Sequence, residues 1–210
     1  MKHTKVHGRD AQTGVPPREV RACFNETTLR VYQAFSPEIA GPATTAQTFV
    51  PPFKRTRMTW IKPSFAWMAY RSGWGAKPGQ ERILGIDILR SGFEWALRHS
   101  CLTHFDAALY ADSETWKETL EDAPVRIQWD PERSLRLEPL AWRTIQIGLG
   151  AGAVHTYVDE WITRIEDLTS FAKEIEALVR SDDIATARRL SPQEMPYPLP
   201  QDIRRRIGSL

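Results

Sequence analysis

Cysteine is nearly missing from this chain, with only Cys23 and Cys101 in 210 residues. Two thiols in unlike contexts build neither a disulfide framework nor a metal cluster, and they fit a reducing compartment. No apolar run approaches the ~20 residues of a membrane span. The first seventeen residues carry Lys and His but no apolar core of signal-peptide length. A cytoplasmic protein without a membrane partner is therefore expected. Net charge is slight too, at +2, so no global field calls for nucleic acid or an anionic surface. The five histidines do not fall at ligand spacing: His3 and His7 lie near the start, and His99 and His104 flank Cys101. No metal site is expected.

Familiar catalytic signatures are also missing. There is no Gly-x4-Gly-Lys phosphate loop, no Gly-x-Gly-x-x-Gly after a strand pattern, and no Gly-x-Ser-x-Gly elbow. Gly148-Leu149-Gly150-Ala151-Gly152 lies between a strand pattern and a helical one. Its amides could cradle an anion, and a tight strand-to-helix turn explains the same glycines.

What remains is an ordinary globular composition, 41% hydrophobic and 26% charged, in a length that suits one large domain. Tryptophan is the rich component: eight residues, several beside Arg, Lys or Gln. Such indoles suit flat ligands such as bases or nicotinamide, and they equally suit a large core.

Residues 1–17, closed by Pro16-Pro17, read as a flexible leader, and 18–210 as a single globular domain with a Pro-rich C-terminal tail. Alternation predicts strands at Val20–Phe24 and Leu29–Phe35. Ser36-Pro37-Glu38 reads as a helix start, cut short by Gly41-Pro42. A strand follows at Met58–Ile61. Lys62-Pro63-Ser64 then opens a helix through Tyr70 that Gly73 and Gly75 close. Ile83–Leu89 predicts a strand buried on both faces, and 91–99 and 113–121 predict helices. Val125–Trp129 predicts a strand ending at Asp130-Pro131, and Thr144–Gly148 another. Val154, Val158, Trp161, Ile162, Ile165 and Leu168 keep helical spacing, which Phe171, Ile175, Leu178 and Val179 continue, as one helix or as two split at Asp167–Ser170. Pro192, Pro196, Pro198 and Pro200 predict an extended tail. Strands and helices intermix without regular βαβ alternation, so the expected fold is α+β: a central, mostly antiparallel sheet flanked by helices, the long C-terminal helical stretch among them.

Three segments join polar groups to aromatic-rich backbone: 30–36, 57–74, and 125–133 with 143–146. Lys62 and Ser64 stand at the positive start of a helix, a natural phosphate position. Arg71, near that helix's end, fits carbonyl capping. Asp130 and Glu132 could act as acid, base or cation-stabilising carboxylate, or serve as turn residues and surface ion-pair partners.

At these segments the chain resembles domain-of-unknown-function family 4291. The strings are Arg21-Ala22, Val31-Tyr32-Gln33-Ala34, the run from Arg57 to Phe65, Trp67-Met68, Tyr70 to Gly75, Gln128 to Arg133, Ile145 to Gly148, and Pro196 to Pro200. They cover about residues 18–200, and the family implies no settled activity. A second similarity is to the ADP-ribosyltransferase superfamily. There a first strand carries Tyr beside His or Arg, a later strand-to-helix junction carries Ser or Tyr, and a late strand delivers Glu. The runs 31–36, 59–64 and 128–132 resemble these in order, with Gln33 standing where His or Arg is usual. This resemblance implies NAD as substrate, with Glu132 stabilising the cation left as nicotinamide departs and Gln33 bonding the nicotinamide amide or ribose. It further implies a cofactor site of Arg21, Tyr32, Trp60, Lys62, Ser64, Tyr70 and Gln128. In it Trp60 or Tyr70 stacks on the ring, and Arg21 or Lys62 grips the pyrophosphate.

Two other readings compete. One is a non-enzymatic module that takes a nucleotide or single-stranded nucleic acid on Trp60, Trp67, Trp74 and Trp129. The other is a structural or regulatory protein whose indoles are simply core. Oligomeric state is open on all three.

Overall fold

The computed structural model describes residues 14–209, so most of the expected 1–17 leader lies outside the described residues. Pro17 lies within them, and its carbonyl accepts from Arg143 N at 2.9 Å.

Strand β1 (Arg21–Ala22) is only two residues long, shorter than the alternation over Val20–Phe24 suggests. An Asn25 side chain accepting from Thr27 N and Thr28 N makes the turn into β2 (Thr28–Phe35). Helix α1 (Pro37–Ala46) does not stop at Gly41-Pro42. Ala40 and Ala43 are buried and pull that face inward. Thr44 and Thr45 hydroxyls donate back to the Ala40 and Gly41 carbonyls within the same helix. Strand β3 (Thr59–Ile61) leads into α2 (Phe65–Ser72), capped by Ser64 and ended by Gly73 at φ 58°. That positive φ is what glycine supplies at a helix C-terminus.

Strand β4 (Arg82–Leu89) is buried on both faces as expected. Leu84, Ile86 and Ile88 enter the main core, while Ile83 joins a second one with Phe65, Met68, Ala172 and Ile175. Helix α3 (Arg90–Arg98), strand β5 (Ser100–Leu102) and helix α4 (Ser113–Asp122) follow. Strand β6 (Val125–Arg133) continues past Asp130-Pro131 and is bulged between Pro131 and Arg133. It pairs with β7 (Pro139–Leu149) along most of its length, whereas β5 covers only Val125–Ile127. Pro131 therefore sits on an open edge, where a missing N–H costs the ladder nothing.

Helix α5 (Ala151–Thr156) passes into one π-helical turn over Tyr157–Trp161. The predicted helix over 154–168 thus holds as far as Trp161 and fails beyond it. Ile162–Asp167 is a strand, β8, paired antiparallel with β4. Its Ile162, Thr163 and Ile165 are β-branched and suit a pleated surface, and the exposed β4 edge supplies the partner. Helix α6 (Thr169–Arg180) resumes the expected pattern, followed by α7 (Ile184–Leu190). The tail is extended through β9 (Met195–Pro196), as its prolines suggest, but ends in helix α8 (Gln201–Ile207), which buries Ile203 and Ile207.

The result is a single α+β domain. Its strands form not one central sheet but a three-stranded sheet β2-β4-β8, a four-stranded sheet β3-β7-β6-β5 and the pair β1-β9. Every named pair is antiparallel except β5–β6. The two larger sheets meet where Tyr32 N donates to Lys62 O at 2.7 Å. Among the described residues no helix is long and apolar enough to cross a membrane.

Candidate ligand cavity

Beside that junction lies a cavity of about 600 Å3, within the roughly 300–1,000 Å3 of small-molecule sites. Strand periodicity decides what faces it. On β6, Val125, Ile127 and Trp129 point into the core, so Gln128 and Asp130 face the cavity. On β7, Ile145, Ile147 and Leu149 are core, which leaves Gln146 for the cavity and Gly148 against Trp60. A Cβ on Gly148 would come within 2.9 Å of the Trp60 ring, so glycine there lets the indole lie flat on the sheet. Helix α2 contributes Trp67, Met68, Tyr70 and Arg71, and the end of β2 contributes Gln33.

Asp130 is held from both sides: Gln128 Nε2 donates to Oδ1 at 2.8 Å, and Gln146 Nε2 donates to Oδ2. Gln33 is buried and nearly saturated. Its amide nitrogen donates to Thr59 Oγ1 at 2.7 Å and to the Trp60 carbonyl at 3.1 Å, while Oε1 accepts from Tyr157 at 2.9 Å. One acceptor lone pair on Oε1 is left.

Lys62 is the outlying group. It is 5% exposed, its Nζ lies 4.9 Å from the Trp67 ring centroid, and it has no hydrogen-bond or ion-pair partner among the described residues. Burial, and then the Arg71 charge, push its pKa down to about 7, with Asp130 pulling weakly the other way. Two more donors on lining residues, Trp67 Nε1 and Arg133 Nε, are buried without an acceptor. The Arg133 guanidinium lies 3.6 Å from the exposed Tyr70 ring at the rim. Donors thus outnumber acceptors, a lining suited to an anionic ligand with a flat ring.

The structure brings Gln33, Trp60, Lys62, Tyr70 and Gln128 together here. Four other residues read from the sequence lie behind the wall or away from it. Glu132 is buried at the β6 bulge, where its Oε1 accepts from Ser64 Oγ at 2.9 Å and Arg133 N at 2.7 Å. Burial raises its pKa and these hydrogen bonds partly offset the rise. Ser64 also caps α2, accepting from Trp67 N at 3.1 Å, so Ser64 and Glu132 form one strut between β6 and the helix start. Tyr32 points to the opposite face of β2 from Gln33, fully buried with its hydroxyl unpartnered. Arg21 pairs with Glu19 at 2.7 Å and donates to the Glu194 carbonyl.

Cavity residues that sequence reasoning set elsewhere include Arg71, whose expected capping role falls to Lys77 Nζ donating to the Arg71 carbonyl at 2.7 Å. Gln146 lay in the polar segment 143–146 marked in the sequence but was not named as a site residue; its alternation with Ile145 and Ile147 is the signal that could have found it. Of the proposed indole platform, Trp74 and Trp129 are core residues, and Trp129 Nε1 donates to Ile207 O at 2.7 Å. No group of three or more metal-ligating side chains occurs among the described residues.

The fold is thus an α+β domain with an aromatic, donor-rich cavity at the seam of two sheets. The chain belongs to the family described as domain of unknown function DUF4291, whose model matches residues 19–197. No curated protein matches it.

Proposed function

We propose that the protein binds NAD in this cavity and, as an ADP-ribosyltransferase-like enzyme, cleaves the nicotinamide–ribose bond and transfers ADP-ribose to an acceptor. The observation that carries the reading is that one cavity draws together Gln33, the β3–α2 junction and a β6 carboxylate, with indole faces and guanidinium groups around them. The carboxylate facing the ligand is Asp130, while Glu132 is the strut behind it. Loss of nicotinamide leaves an oxocarbenium-like ribose, which an oriented carboxylate stabilises electrostatically. The two glutamine amides hold Asp130 in place for that role. The free lone pair of Gln33 Oε1 suits the nicotinamide carboxamide N–H, Trp60 the ring, and Arg71 with Arg133 the pyrophosphate. The acceptor's nucleophile takes the anomeric carbon, the bond electrons leave with neutral nicotinamide, and the acceptor's proton is released.

A second reading is a single-stranded nucleic-acid site, favoured by the Arg133–Tyr70 stack at the exposed rim. Nicotinamide release from NAD, measured by chromatography, tests the first. Asp130→Asn should lower release by about 100-fold or more while NAD still raises the melting temperature. Glu132→Gln should act on stability instead. No release and no stabilisation by NAD or ADP-ribose would sink the proposal, and stabilisation by oligonucleotides alone would favour the second reading.

A further inference from the structure

A buried lysine without an ion-pair partner is a costly thing to keep. Lysine is almost never fully buried unless paired, and a purely structural Lys62 should have found a carboxylate. It has instead an indole ring at 4.9 Å and the open space of the cavity. The charged and titratable groups sharing that space are Arg71 and Tyr70 from α2 and Asp130 and Arg133 from β6. Burial and the Arg71 charge outweigh the one carboxylate, Asp130, which already holds two glutamine amides, and so disfavour the ammonium form. Desolvation beside another cation is the arrangement that turns a lysine into a nucleophile.

We propose that Lys62 is a nucleophilic amine that captures the carbonyl carbon of an anionic, ring-bearing aldehyde or ketone in this cavity as an imine. The amine lone pair attacks the carbonyl carbon, and a proton passes from nitrogen to oxygen to give a carbinolamine. Loss of water then leaves the C=N bond, so no oxidant or reductant enters. Arg71 and Arg133 hold the anionic group and leave Lys62 free of it, while Trp60 offers a face to the ring. The depressed basicity of Lys62 means that a large fraction of the amine is already reactive near neutral pH. The inference goes beyond the NAD reading and does not depend on it.

Pyridoxal 5′-phosphate carries the required aldehyde, ring and phosphate and serves as the probe. The wild-type protein is incubated with it at pH 6 to 9, reduced with borohydride, and the labelled lysine located by peptide mass mapping. The expected result is saturable label on Lys62 ahead of the exposed Lys54, Lys77, Lys117 and Lys173, half-maximal near pH 7. Inorganic phosphate should compete, and Arg71→Gln should raise the half-saturating concentration. Label spread over the exposed lysines without preference, or Lys62 unlabelled at pH 8, would overturn the proposal. Because the readout is on the wild-type chain, no variant need fold for the proposal to fail. Label on Lys62 without NAD turnover would leave this inference standing and the NAD reading fallen.

Discussion

At position 62 the fold tolerates a lysine that it would be more stable without, and the pH dependence of stability should expose this. The folded pKa lies near 7 against an ordinary 10.5, so between those values the unfolded chain holds the extra proton. Stability from this group therefore rises with pH across about 7 to 10.5, and below 7 its full cost is present. That cost is on the order of 4–5 kcal/mol. Lys62→Met should accordingly raise stability in urea at pH 6 by a few kcal/mol and abolish the rise above pH 7. Equal stability of the two proteins at pH 6 would mean that the ammonium is well solvated or paired. Glu132 and Glu194 carry the opposite sign. Burial raises both carboxyls, so their contribution is present in acid and lost as pH climbs above the ordinary carboxylate range, and subtracting the variant's profile from the wild type's isolates Lys62. The sequence placed Lys62 at a helix start beside aromatic residues, but its lack of a partner depends on Asp130 and Arg133, some seventy residues away.

At the scale of elements, what was legible was what is settled locally. Ser64 capping α2, Gly73 ending it, and the unbroken apolar run of β4 each carry their cause within a few residues. The misread stretch, 162–167, was ambiguous on local grounds: Trp161, Ile162, Ile165 and Leu168 satisfy helical spacing, and only the β4 edge turns 162–167 into a strand. Continuation of β6 through Pro131 likewise depends on β7 and on the absence of β5 alongside that residue. The carboxylate assignment turned on the same bulge. Simple alternation would put Glu132 on the face of Gln128 and Asp130, but the ladder with β7 loses its register between Pro131 and Arg133, and there Glu132 turns behind the wall to Ser64. The Ser64–Glu132 strut predicts an effect larger than a helix cap alone. Ser64→Ala removes the cap to Trp67 N, worth about 1 kcal/mol, and also takes a hydrogen bond from the buried Glu132, worth a further ~1–3 kcal/mol. A combined loss near 2–4 kcal/mol is expected in chemical denaturation, with Ser64→Thr restoring much of it. A loss under 1 kcal/mol would show that Glu132 finds water instead.

Across the whole molecule, the tail ties the two sheets to the start of α2. After α7 the chain sends the Glu194 carboxyl to Phe65 N at 2.7 Å, so a residue over a hundred positions away satisfies a free amide at the same helix start that Ser64 caps. β9 then pairs with β1. The Tyr197 hydroxyl donates to Glu94 at 2.8 Å and accepts from Arg90 at 2.9 Å, whose guanidinium also lies over the Phe24 and Tyr197 rings. Helix α8 inserts Ile203 and Ile207 into the main core, where the Ile207 carbonyl takes the Trp129 indole proton, and Arg206 donates to Ser100 O at the β5 edge. The prolines had marked this segment as extended; its closing helix carries too few residues to declare itself by periodicity. A chain ending at Leu190 loses the burial of Tyr197, Ile203 and Ile207, at about 1.5–3 kcal/mol each, besides the polar contacts. That sum rivals the 5–15 kcal/mol by which such domains are folded at all, so the truncated protein should show no cooperative melt. Ile203→Ala, costing about 2–5 kcal/mol, should leave a folded protein with a lowered midpoint and the Lys62 labelling intact. A truncated chain that still melts cooperatively and still reacts at Lys62 would show the tail to be a cover and not a tie, with the cavity built by the two sheets and α2 alone.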